Sequence, residues 1–458
     1  MGSRQRNCDN QRLPDHDLQR VGRRISCCCI NPGKLYMSQE SDSNNPGLLA
    51  IIGPGILIAA TGVGAGDLTA AGFSGSQLGY AVLWAVVIGA FFKYVMTEGL
   101  TRWQLVTGTT VLEGMAKHLG KWTGWLFLIY FIPWSFFVGA NLMGGCGVTM
   151  HAILPVFENA SHAKVIFGIL SSILGLILVE RGGFKLFEKI MAVCIAIMVV
   201  TTVVSGILLT PDWGEVLRGL LEPSIPNAKE GGIAWTLALI GGIGSTVTIL
   251  CYGYWIAEEN RKGVGMLKLS RLDLGSGYLM ITVFGIAMVI IGTTVDTSGS
   301  GTGLIVDIAN TLRTSLGPIG QWAFLIGALG AVFSSILGVW QSAPYLFADI
   351  WRLFITGKNP ENLKEGEVLI DTNSVPYRSF LYFIAFFPML GLFFQFKEIQ
   401  KVYGVVGAAF LPLLTLVLLV LNGRKKWMGD YANRWPTVIV MLSILVFFGW
   451  MAWSRWFG

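Results

Sequence analysis

Two glycine-rich stretches decide how this chain reads: Thr61-Gly62-Val63-Gly64-Ala65-Gly66-Asp67 and Gly241-Gly242-Ile243-Gly244-Ser245-Thr246. Each lies mid-way along an apolar run long enough to cross a bilayer as a helix. Glycine inside a helix costs about 1 kcal/mol relative to alanine, so Gly62, Gly64 and Gly66 on alternate residues predict an unwound segment. Backbone carbonyls and amides bared at that depth are tolerated where they line a cavity. The competing explanation is that the glycines let neighbouring helices approach closely.

The rest of the chain supports a membrane setting. Of its 458 residues, 53% are apolar and only 13% charged, with a mean hydropathy of +0.61, which excludes an ordinary soluble domain. The 58 glycines and 16 tryptophans suit helix packing and interfacial belts rather than the alternating strands of a barrel. The predicted fold is therefore all-α and polytopic, with about 11 transmembrane helices over 48–76, 80–101, 123–150, 164–180, 186–209, 233–257, 269–295, 319–346, 378–396, 399–421 and 435–455. Spans 1 and 6 carry the two glycine stretches, five spans apart. Paired interruptions in two halves mark an inverted repeat with a midplane site.

Residues 1–46 are polar and basic and read as a disordered cytoplasmic tail, with the transporter domain over 47–458. Met37 is an alternative start, and Cys27, Cys28 and Cys29 are candidates for palmitoylation. No stretch reads as a cleavable signal peptide. With the N-terminus inside, the loops on that side carry 18 Lys and Arg against seven on the other, as the positive-inside rule expects. This places the C-terminus outside and the chain in a plasma (bacterial inner) membrane. The net charge of +6 is explained by those loops, so nucleic acid is not an expected partner.

The chemistry is expected at the two interruptions. Gly64, Ala65 and Gly66 offer backbone groups; Asp67 follows, a carboxylate inside a span that is costly unless functional. It is either an N-cap-like residue of the half-helix it opens or a ligand. Ser245, Thr246, Thr248 and Cys251 are the candidate ligands of span 6. Lys93, Glu98, Asn141 and Tyr252 are candidates for coupling or gating, with Lys93 and Glu98 pairing with each other or with span 6; Glu98 is close enough to the cytoplasmic end to be merely interfacial instead. No CxxC, HExxH or GxSxG motif occurs, so neither a resident cofactor nor an enzyme is expected.

Gly53-Pro54-Gly55 through Gln77-Leu78-Gly79-Tyr80, Gly317-Pro318 to Ser335, and Leu411-Pro412-Leu413 through Trp427-Met428-Gly429 form an ordered set of stretches. Together they resemble the Nramp family of proton-coupled divalent-metal transporters. The resemblance runs from about Gly47 to the C-terminus and implies a LeuT-type 5+5 inverted repeat with interrupted helices 1 and 6. The family's Asp-Pro-Gly-Asn falls on Gly64-Ala65-Gly66-Asp67 and its Met-Pro-His near Thr248-Ile249-Leu250, so the metal-binding aspartate, the methionine and the histidine are replaced.

The expected function is secondary-active transport of a small ion, coupled to a proton or Na⁺. Loss of the soft sulfur ligand points to a hard or hydrated cation resembling Mg²⁺, with Asp67 the one candidate metal ligand. The alternative is a small anion or zwitterion, such as bicarbonate or an amino acid, held by free amides at the span 1 break.

Overall fold

The computed structural model describes residues 64–181, 184–259, 261–295, 301–357 and 370–457. The expected tail and the first half of span 1 lie outside them. The described residues are all-α, and every one of the eleven expected spans other than the first has its helix. Span 1 continues as α1 (Ala65–Leu78), which passes through the 3₁₀ turn Gly79–Val82 into α2 (Leu83–Thr107). Positive φ at Gly79, +65°, turns the chain there.

A short helix, α3 (Val111–His118), follows; a capping box of Thr110 and Glu113 starts it, the hydroxyl accepting the Glu113 N–H and the carboxylate accepting the Thr110 N–H. Then come α4 (Trp122–Ile153), α5 (Ala160–Arg181) and α6 (Phe184–Leu208). A bend of 118° separates the end of α6 from α7 (Trp213–Leu221), an amphipathic piece capped by Asp212. Span 6 is split into α8 (Gly232–Gly242) and α9 (Tyr252–Glu258), joined by the 3₁₀ turn Val247–Cys251. Next are α10 (Leu267–Gly292) and α11 (Leu304–Ile350).

Span 8, expected over 319–346, is the second part of α11. Gly317, at φ +73°, and Pro318 divide it from a lead-in helix over 304–316 that lies outside the expected spans, in what reads as a loop. A π-turn, Trp351–Ile355, ends it and aims Arg352 inward. The bundle closes with α12 (Val375–Phe386), α13 (Phe396–Gly423), α14 (Lys425–Met428) and α15 (Trp435–Phe457).

Backbone contact through glycine sets how α1, α8 and α13 sit. A Cβ on Gly66 would lie 2.8 Å from the Gly242 carbonyl oxygen, and one on Gly241 only 1.9 Å from that of Gly404. In a bilayer there is little hydrophobic drive between helices, so such close approach supplies the packing. The two explanations of the glycines thus apply to different residues. Gly66, Gly241 and Gly242 pack; the chain unwinds just beyond, at 243–246.

Candidate functional site

The break in span 6 follows from three consecutive departures from helix. Ile243 is extended, while Gly244 and Ser245 have φ of +69° and +65°. The left-handed region suits glycine; a serine there stores on the order of 1–3 kcal/mol of strain. The last carbonyls of α8 are thereby turned away from any helical partner, at the end of the helix that carries partial negative charge.

Those carbonyls converge on Lys93 of α2. Its fully buried ammonium donates to the carbonyl oxygen of Gly241 at 2.9 Å and to those of Ile243 and Ser245. Glu98, one of the partners expected for Lys93, is engaged elsewhere. It accepts from Arg271 at 2.7 Å and pairs with Arg102 at 3.3 Å, at the end of the bundle rich in basic loops.

Asp67 stands in the first turn of α1, fully buried and at the helix end whose free amides favour a negative charge. Its Oδ1 accepts the Gly244 N–H at 2.7 Å, which ties α1 to the span 6 break; Oδ2 has no hydrogen-bond partner among the described residues. Asp67 lies within Coulombic reach of Lys93. The two charges thus engage one strained segment, Asp67 through a backbone N–H and Lys93 through its carbonyls, each beside the helix end of opposite sign.

Around this pair, Trp134 Nε1 of α4 donates to Thr246 Oγ1 at 2.8 Å. Tyr403 of α13 is buried beside them, its hydroxyl 3.4 Å from where a Cβ on Gly66 would stand. Tyr278 of α10, bonded to Thr97 at 2.8 Å, packs beside Gly244. Gln400 was missed in the sequence. Fully buried on α13, it accepts the Thr69 hydroxyl at 2.6 Å, and its Nε2 has no partner among the described residues. An amide inside an apolar span was the available signal.

Several expected site residues are corrected. Ala65 and Gly66 belong to the first turn of α1 rather than to an unwound segment, and Gly64 is pressed on α11, where a Cβ would fall 1.7 Å from Ser335 Oγ. Cys251 does not face Asp67: its thiol donates to the Ser342 carbonyl at 3.5 Å. Tyr252, expected in coupling or gating, donates to Asp273 of α10 at 3.0 Å, and Arg261 holds the same carboxylate at 2.9 Å. The reason is that a 3₁₀ turn advances about 120° per residue instead of 100°, which rotates the face carried into α9. Thr248 is buried in that turn. Asn141 is fully buried on α4, with neither amide atom partnered among the described residues.

A second buried network holds the next turn of α9. Tyr254 donates to Asp349 at 2.5 Å, Asp349 accepts from Arg352 at 2.6 Å, and Arg352 reaches Glu113 of α3 at 2.7 Å. Desolvation first, then the neighbouring Asp349, push the Glu113 carboxyl upward from its ordinary value.

An all-α, multi-pass bundle with span 6 broken between opposed charges is the architecture of a LeuT-like membrane transporter. Solved structures of that class superpose on it: a manganese transporter from Eremococcus coleocola over 92% of this chain and 91% of that one, with a TM-score of 0.64 and 18% identity. MhsT in complex with L-phenylalanine has a TM-score of 0.60 and 14% identity, over 88% of this chain and 98% of that one. Residues 55–454 match the family described as natural resistance-associated macrophage protein-like, and the chain belongs to that Nramp family. Its curated relatives include the divalent metal cation transporter MntH of Levilactobacillus brevis, 22% identical over 86% of this chain and 85% of that protein. The MntH of Caldanaerobacter subterraneus is also 22% identical, over 84% and 87%.

Proposed function

We propose that this chain is a secondary transporter of a small, hard cation such as Mg²⁺, bound between Asp67 and the bared carbonyls of span 6. One observation carries the reading: the carbonyls of Gly241, Ile243 and Ser245 already converge on a positive charge, opposite a buried carboxylate whose Oδ2 has no partner among the described residues. The names of the relatives, divalent metal cation transporters and a manganese transporter, support a cation as cargo. The donor set supports a hard one. All its atoms are oxygens, Cys251 is turned to Ser342, and no cluster of three or more His, Cys, Asp or Glu that could hold a metal occurs among the described residues. An ion with one carboxylate ligand keeps part of its water shell, which suits Mg²⁺. An anion at the start of α1 would meet the Asp67 carboxylate already there.

Uptake into liposomes tests this. Saturable Mg²⁺ uptake is expected, weaker for Mn²⁺ and abolished by Asp67→Asn. Saturable uptake of bicarbonate or an amino acid with no Mg²⁺ or Mn²⁺ flux sinks the proposal, and a Mn²⁺ preference sinks the hard-cation part of it. In the same reading the basic loops face the cytoplasm of a bacterial cell and a proton or Na⁺ supplies the driving force.

A further inference from the structure

We propose that Lys93 is a resident counter-cation of the transport site. Its ammonium holds the carbonyl cluster of Gly241, Ile243 and Ser245 while cargo is absent, and cargo and ammonium are alternative occupants. This rests on the cation reading above.

The argument is geometric. A lysine at this depth needs compensation for its lost hydration, and Lys93 finds it in backbone dipoles, all three of its hydrogen-bond acceptors being carbonyls of one break. These are the oxygens that a half-helix end and unwound backbone present to a cation in a split-helix transporter. The chain therefore carries a cation site that is filled from α2 by its own side chain. Asp67, at the same break, accepts from Gly244 and keeps Oδ2 for a second contact. Two positive charges sharing one oxygen cluster repel strongly even at an effective dielectric of about 20. Cargo loading must therefore be matched by departure of the ammonium. Lys93 sets the affinity low and leaves the site electrically balanced when it is empty of cargo.

The test uses the purified full-length chain with Lys93→Ala and Lys93→Gln beside the wild type, Mg²⁺ titrated by calorimetry, and n-butylammonium chloride as a stand-in for the missing side chain. Both variants are expected to bind Mg²⁺ at least tenfold more tightly than wild type, about 1.4 kcal/mol. Millimolar n-butylammonium is expected to raise the melting temperature of Lys93→Ala but not of wild type, and to compete with Mg²⁺ in the variant. If Lys93→Ala does not fold, Lys93→Gln, whose amide still donates to the carbonyls, carries the affinity comparison. Measurable Mg²⁺ binding by wild type with equal or weaker binding by the variants overturns the exchange and makes Lys93 a brace for the break. Absence of Mg²⁺ and Mn²⁺ binding from wild type and variants alike overturns the cation reading and this inference together.

Discussion

Removing the Tyr254 hydroxyl should loosen α9 at the basic end of the bundle. Tyr254→Phe keeps the ring and deletes one buried hydrogen bond, 2.5 Å long, to the Asp349 carboxylate. Asp349 retains Arg352, so no charge is stranded. A hydrogen bond to a charged group contributes about 1.5–3 kcal/mol, and the open form loses it by exposure to water anyway. The closed form should therefore be weakened by that amount, raising the open population about 10- to 150-fold. Cys251 is the reporter: it is a free thiol, 1% exposed, one residue ahead of α9. In a chain whose other cysteines are serine, its maleimide-labelling rate should rise by that factor, as expected for opening that is fast relative to modification. Tyr252→Phe, which unfastens α9 from Asp273 instead, should act similarly. Labelling within twofold of the parent in both variants means that these contacts do not hold α9 shut.

Gly241→Ala places a Cβ 1.9 Å from the Gly404 carbonyl, backbone that cannot yield, and should abolish the monodisperse peak in size-exclusion chromatography; Gly275→Ala, with nothing within 4 Å, should leave it unchanged. Trp134→Phe removes the donor to Thr246 and should lower stability by about 0.5–1.5 kcal/mol, read as a shift in the thermal midpoint. His118, in α3 outside the spans, is stacked on Trp427 at 4.0 Å. Its imidazole is held below its ordinary value by burial first, then by Lys117 and Lys426. A base depressed in the fold favours folding above its unfolded value, near 6.5, and that contribution is lost as pH falls through it to the folded one. The melting temperature of wild type should thus drop more than that of His118→Phe between pH 7.5 and pH 5.5.

Much of this architecture was readable because hydropathy and glycine placement act locally. Lys93 was legible as a charge inside a span, and Asp67 as a carboxylate beside a helix start. The unwinding at 243–246 could be located only to within a few residues, because Gly241 and Gly242 carry the same signal for a different reason: they press on Gly404 and Gly66. Cys251 and Tyr252 stand out as polar groups of span 6, and their orientation depends on the 3₁₀ turn that precedes α9, which residue type does not reveal. The helix at Val111–His118 announced itself through Thr110 and Glu113, yet it is too short for a hydropathy window. Gln400 was detectable only as an amide inside an apolar span, and its partner, Thr69, 331 positions away, was not.

The glycine seams of α1, α8 and α13 leave no slack for one of these helices to slide on another, since even a methyl group cannot be inserted at Gly66 or Gly241 without striking backbone. The three must travel as one block. The seam beside α9 also carries polar contacts, from Tyr252 and Tyr254 to Asp273 and Asp349. The molecule thus has a welded side and a fastened side, and any relative motion of the helices is expected at the fastened one.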